Sequence, residues 1–308
     1  MSNIFESKKF SVEHALNLYA SSFVHMPAFA IYDDEILSSL TQQIRTCHIY
    51  LIGLVPRIKF VGAEQHGTEL VTSFVILNKS HKLRWPMPEG TLLAGGSETG
   101  RYVIDGQGRK SFPSTHTIMT RLNNEKDAIN FKVLYVGQAF GEDGSRNALH
   151  RLKKHETLQK IAVQGIPPAY ELTLLMLEIV PDNRMITLFN PWAEDKESGE
   201  DRINKGLDKL FDTNDAERTT LYEASLIRYF QPHFNKEFKN NFPSTNMRLL
   251  ANCYKKDIAA VIAEICFDEF PFKLFSDTVK AQAYHIAHHD LHDEAERKVF
   301  FSIPDISL

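Results

Sequence analysis

Tyr135 closes the β-prone run "NFKVLYVG", and Arg151 and His155 follow four positions apart in "RNALHRLKKHETLQK". On one helix that spacing puts both on the same face, and Arg146 and Lys154 can join that basic side. Farther on, Glu223 sits beside apolar Leu226 and Ile227 in "LYEASLIRYFQPHFN", and Asn235 comes just after the stop imposed by Pro232. A carboxylate on an otherwise core-packed helix needs a reason. Phosphodiester hydrolysis supplies one, because it needs an activated water, charge stabilisation on the phosphoryl oxygens and help for the leaving oxygen. Arg151 offers a planar donor fork to a phosphate. Tyr135 can pass a proton from water if neighbouring cations pull its pKa below about 10. Glu223 can anchor a hard cation, and one carboxylate points to one Mg²⁺ or Mn²⁺ ion.

Each residue also has a plain structural reading. Tyr135 suits a strand-end aromatic, the basic run suits a solvated helix face, Glu223 can pair with Arg228, and Asn235 can serve a turn. Their joint order is more specific. YxG, RxxxH, ExxLI and PxxN in sequence resemble a GIY-YIG nuclease domain over about residues 112–245, and the Arg-to-His spacing is most similar to the restriction-enzyme branch. The resemblance implies a small antiparallel or mixed α+β sheet in the order β-β-α-β-α, with N- and C-terminal additions. It also implies Tyr135, Arg151, His155 and Asn235 as catalytic residues, Glu223 as the metal ligand, and His116, Arg146 and Lys154 as substrate contacts. The first strand of that pattern falls on "THTIMT", which has neither the glycine nor the tyrosine expected there, so His116 is the nearest polar stand-in. "GRYVI" at 100–104 offers Gly100 and Tyr102 but requires a longer connection.

The elements that must position these residues are read from periodicity and punctuation. "SVEHALNLYASSF" and "DEILSSLTQQIRT" have apolar residues at helical spacing behind Ser11 and Asp33. Short β-prone runs follow, "HIYLIGLV", "ELVTSFVIL", "TLLA" and "RYVI", between Pro- and Gly-rich breaks. "THTIMTRL" and "NFKVLYVG" read as an antiparallel hairpin, with a helix over about 145–162, a strand in "AYELTLLMLEIV", a charged loop and a helix in "DAERTTLYEASLIRYFQP". "KKDIAAVIAEICFDEF" reads as helical, and the tail beyond it as a hairpin or a broken helix. Three segments result: 1–111 for target or partner recognition, 112–245 for catalysis and a 246–308 extension.

Composition restricts the partners. With 35 basic and 39 acidic residues the net charge is -4, so contact with phosphate must be local. Three cysteines without CxxC spacing fit a reducing compartment and small apolar packing. The lack of a long apolar run points to a cytoplasmic chain with no membrane partner. "GGSETGR" lacks the lysine of a phosphate-binding loop and reads as a turn, and "HIAHHDLHD" at 285–293 reads as a solvated histidine-rich turn ahead of a zinc or nickel site. The expected function is metal-dependent cleavage of DNA, in restriction or defence, with RNA as another substrate class. A homodimer would serve double-strand cleavage. The alternative is a catalytically reduced protein that keeps the fold to hold nucleic acid.

Overall fold

The computed structural model describes residues 8–96, 100–140, 148–180 and 184–292. The first half runs β1 (Val12–Pro27), α1 (Asp34–Arg45), β2 (Ile49–Pro56), β3 (Lys59–His66), β4 (Glu69–Ile76), β5 (Lys79–Pro86), β6 (Leu92–Gly96), β7 (Gly100–Ile104), β8 (Lys110–Ser111), α2 (Thr115–Lys126) and β9 (Asn130–Gln138). The second runs α3 (Ala148–Leu152), α4 (Glu156–Val163), β10 (Tyr170–Ile179), β11 (Arg184–Phe189), α5 (Gly199–Asp212), α6 (Asp215–Phe230), α7 (Ala251–Lys255), β12 (Ala260–Cys266), β13 (Lys273–Phe275) and β14 (Tyr284–Asp290).

The architecture corrects the expected small α+β core. The chain is a mixed α/β protein built on a large curled sheet, a half-barrel with strand order β13-β9-β2-β10-β1-β12-β14 and β11 also paired to β1. β1 with β12 and β13 with β9 are parallel, and the other pairs of that sheet are antiparallel. All three sequence segments contribute strands to it. Residues 57–113 carry two further three-stranded sheets, β3-β4-β5 and β6-β7-β8.

Several element readings change with it. "SVEHALNLYASSF" is strand, not helix: β1 lies in the middle of the sheet with both faces covered, so its near-continuous burial carries no strict alternation. "THTIMTRL" is the helix α2, capped by Ser114, whose side chain accepts from the Thr117 amide. The expected 115–137 hairpin therefore does not form, and β9 pairs instead with β2 across all of residues 57–129. "KKDIAAVIAEICFDEF" divides between the short α7 and the buried strand β12. The charged stretch before residue 213 contains α5. The reading of α1 agrees, with Asp33 accepting from the amides of Glu35 and Ile36.

Two cores clamp the sheet. One gathers Leu16, Leu51, Phe131 and Val133 with Leu221, Tyr222 and Phe230 of α6. The other gathers Ile52, Leu174 and Met176 with Leu37 and Ile44 of α1, Leu152 of α3 and Leu158 of α4. Helices thus fix β9 and β2 from both faces, which holds their C-terminal and N-terminal ends, respectively, as a rigid platform.

Candidate active site at the Tyr135 strand end

β9 presents Tyr135 and Gly137 on one face, and Tyr50 of β2 lies directly opposite Gly137. Diagonal neighbours on one face of an antiparallel pair are within reach of aromatic side chains. The Tyr50 and Tyr135 rings stack with centroids 6.2 Å apart, which sets the two phenols side by side. Glycine is required opposite Tyr50: a Cβ at 137 would stand 2.6 Å from the Tyr50 Cζ and Oη and 2.7 Å from Tyr135 Cε1. The tripeptide YVG is thus a phenol followed by the gap that admits a second phenol.

The basic segment that follows is not one helix. α3 ends at Leu152, and His155 is the N-cap of α4, its Nδ1 accepting from the Leu158 amide at 3.2 Å. Arg151 and His155 therefore do not share a helix face, yet the turn between them brings both to the tyrosines. The His155 ring meets Tyr135 and Tyr50 edge-on at 5.0 and 5.5 Å. The Arg151 charge acts on both phenols. Burial, helped by the Arg151 charge, pushes His155 down to about 4. With Nδ1 accepting, the neutral ring carries its proton on Nε2. Tyr135, Arg151, Lys154, His155, Glu156 and Thr157 line a cleft of about 260 Å³.

Sequence reasoning expected cations to lower the Tyr135 pKa. Instead burial raises it, with Glu223 adding to the rise and Arg151 only offsetting it. Burial raises Tyr50 too, so both phenols are protonated near neutrality.

Glu223 reaches this place from α6. Burial pushes its carboxyl up to about 7, against hydrogen bonds from the Gln138 side chain and backbone amide and with the charge of Glu237 adding to the rise. Glu223, Glu237, Tyr135, Lys160, Lys236 and Asn235 are among the residues around an adjoining cavity of about 400 Å³. Asn235 works on the backbone. Its Nδ2 donates to the Val136 carbonyl at 2.8 Å and its Oδ1 accepts from the Val136 amide at 2.9 Å. β13 leaves β9 after Lys132, so the Asn235 amide replaces a strand partner for otherwise orphaned groups. It thereby positions Tyr135 and Gly137 on either side of Val136.

His116 lies elsewhere. Its Nδ1 is 3.4 Å from His25 Nε2, and the two rings line a separate cavity beside Thr115 and Phe267. The stand-in role expected of it has no geometric basis, because the strand that placed it near Tyr135 is helix. Arg146 lies outside the described residues. The residues missed in the sequence are Tyr50, Gln138 and Glu237. For Tyr50 the signal was "HIYLIG", read as a strand but not paired with "YVG".

Among the described residues no group of three or more His, Cys, Asp or Glu side chains is arranged to hold a metal. A site built on Glu223 would need its remaining ligands from water and phosphate. The carboxylate fits that role: it is enclosed and raised toward neutrality by burial, so a hard cation would stabilise its charged form. No known family model matches the chain, and neither curated proteins nor solved structures gave a match.

Proposed function

We propose that the chain is a metal-dependent phosphodiester hydrolase with its active site at the Tyr50–Tyr135 strand ends and DNA as its substrate. The observation that carries this reading is the meeting of two stacked phenols, a guanidinium, a neutral imidazole and a lone enclosed carboxylate on the walls of adjoining cavities. In this reading Tyr50 takes the role for which the resemblance to GIY-YIG nucleases offered His116 or, over a longer connection, Tyr102. The reading rests on this side-chain set and not on the small sheet first expected.

In this scheme Arg151 aims charged donors at the phosphoryl oxygens, where charge grows in the transition state. Tyr50 and Tyr135 orient the attacking water, whose proton passes to a non-bridging oxygen of the phosphate as the new P–O bond forms. Their raised pKa values make them orienting groups rather than free phenolate bases. The His155 Nε2–H donates toward a phosphate oxygen, and Lys154 and Lys160 draw the strand in. Glu223 would hold one Mg²⁺ or Mn²⁺, which polarises the phosphoryl group and offsets charge on the leaving oxygen.

The test is purified protein incubated with plasmid, single-stranded DNA and RNA, with and without Mg²⁺ or Mn²⁺. Metal-dependent nicking of DNA by wild type, absent in Glu223→Gln, is the expected result. Binding without cleavage under every condition would leave the protein a nucleic-acid holder and end the hydrolase reading.

A further inference from the structure

The β4–β5 hairpin turns through two residues, Leu77 and Asn78, with φ of +48° and +64°. Two-residue hairpin loops of this kind require positive φ at both positions, and Asn and Gly supply it with least steric cost. Asn78 suits its place. Leu77 does not, because a bulky side chain in the left-handed region clashes with its own backbone. Its side chain buys no burial in return, being 42% exposed at the tip.

Four lysines lie near the tip, and the carboxylates flanking Lys126, Glu125 and Asp127, are paired with Arg121 and Lys273. Lys79 and Lys82 follow it on β5, Lys59 lies one strand over beside Val75, and Val75 pairs with Ser80. Lys126 comes from the end of α2. All four lysines are exposed, and among the described residues none is ion-paired. Lys126 and Lys79 both act on His81, whose pKa is lowered by burial first and then by these two charges. They are therefore close enough to share one potential. The chain is net negative, yet residues 57–112 hold eight Lys and Arg against five Asp and Glu.

We propose that the Leu77–Asn78 tip docks in a groove of duplex DNA. This rests on the reading of the Tyr135 site as one that acts on DNA. The lysines neutralise phosphates on the groove walls, Asn78 meets base-edge acceptors in the minor groove, and Leu77 presses as an apolar wedge against a base step. A solitary leucine beside a polar asparagine offers too little apolar area to anchor in lipid, whereas a groove needs one narrow projection between cations.

The experiment uses the full chain carrying Glu223→Gln, so that binding is read without cleavage. A labelled 30-base-pair duplex is titrated by fluorescence anisotropy over a series of salt concentrations. Leu77→Gly removes the wedge while giving the turn a residue its backbone favours, so the fold is kept. It is expected to weaken binding about fivefold or more with an unchanged salt slope. Lys79→Ala, Lys82→Ala and Lys126→Ala together are expected to flatten that slope by about 2 to 3 units, at ~0.9 per phosphate contact. Duplex affinity and salt slope within twofold of the parent in both variants would overturn the proposal. Tip-dependent binding to RNA or to anionic phosphatidylserine vesicles, with none to duplex DNA, would overturn the choice of partner. If the tip governs duplex binding but wild type cuts nothing, the hydrolase reading falls and the docking element stands. If wild type cuts DNA and the same tip and lysine substitutions, made without Glu223→Gln, bind and cut as wild type does, the reverse holds.

Discussion

Tyr50 and His116 are the two candidates for the second polar group beside Tyr135, and geometry separates them. Tyr50 stacks on Tyr135 and feels the Arg151 charge, while His116 faces His25 across another cavity. Tyr50→Phe keeps the ring that stacks on Tyr135 and removes only the oxygen. It is expected to slow single-turnover cleavage by ~100-fold or more, the range of general acid-base groups. His116→Ala should stay within about threefold, below 1 kcal/mol. The opposite order would remove Tyr50 from the chemistry. Glu223 gives a second residue-scale prediction. With its carboxyl raised to about 7, metal binding must displace a proton below that pH. Mn²⁺ affinity by calorimetry should therefore climb about tenfold per unit from pH 5.5 to 7 and level off above it. Glu223→Gln should bind weakly with no such rise, and an equal rise in that variant would assign the proton to another group. Both residues show what a sequence can carry at this scale. Glu223 was visible as a carboxylate among apolar neighbours. Tyr50 was an ordinary strand tyrosine until its register against Gly137 was known.

Register belongs to the pairing of elements, and Gly137 tests it. Alanine there would drive its Cβ into the Tyr50 ring, and overpacking of this kind costs ~1–3 kcal/mol. Gly137→Ala should lower the melting temperature and displace Tyr50, reducing activity as well. Tyr50→Ala opens the space, so the double variant should be more stable than the sum of the single losses predicts, a coupling read directly by a double-mutant cycle. Additive losses would mean that Tyr50 does not cross Gly137. The pairing was illegible for a physical reason. Short connections are the rule between paired strands, and "THTIMTRL" stood next to "NFKVLYVG" with threonines and isoleucine spaced like a strand. Ser114 as a cap, with Leu122 and Met119 turned to the core, makes it a helix, and the partner strand comes from beyond two small sheets. α1, α6, β4 and β10 were legible because each keeps its caps or its apolar run within one element. β1 and β12 were not, since strands covered on both faces lose the period-two pattern that identifies them.

At the scale of the whole molecule, four histidines on different elements are buried as neutral groups. "HIAHHDLHD" is not a solvated turn: β14 runs through it, and His285 and His289 point inward beneath α6. His285 meets the Tyr229 hydroxyl and the Gln282 carbonyl, and His289 the Ser225 carbonyl at 3.0 Å. Burial pushes both down to about 4, as it does His25 in β1 and His155 at the active site. In the unfolded chain these rings titrate near 6.5. Between about pH 4 and 6.5 the unfolded state therefore binds more protons than the folded one, and stability rises with pH through that window. It is fully present above 6.5 and is lost as the pH falls toward 4, at up to ~1.4 kcal/mol per pH unit for each histidine. Glu223 acts in the opposite sense, because its raised folded pKa removes stability as the pH rises from about 4.5 to 7, but it is one group against four. Urea midpoints at pH 7.5, 6.0 and 5.3 should thus fall steeply, in a range that lies above the titration of ordinary carboxylates. His289→Gln isolates one contribution, since its amide nitrogen takes the place of Nε2 and can still donate to the Ser225 carbonyl but cannot titrate. Its stability should depend on pH by about one proton less than wild type. A slope unchanged by the substitution would mean that His289 is as easily protonated in the fold as in water, and that β14 is not sealed by α6.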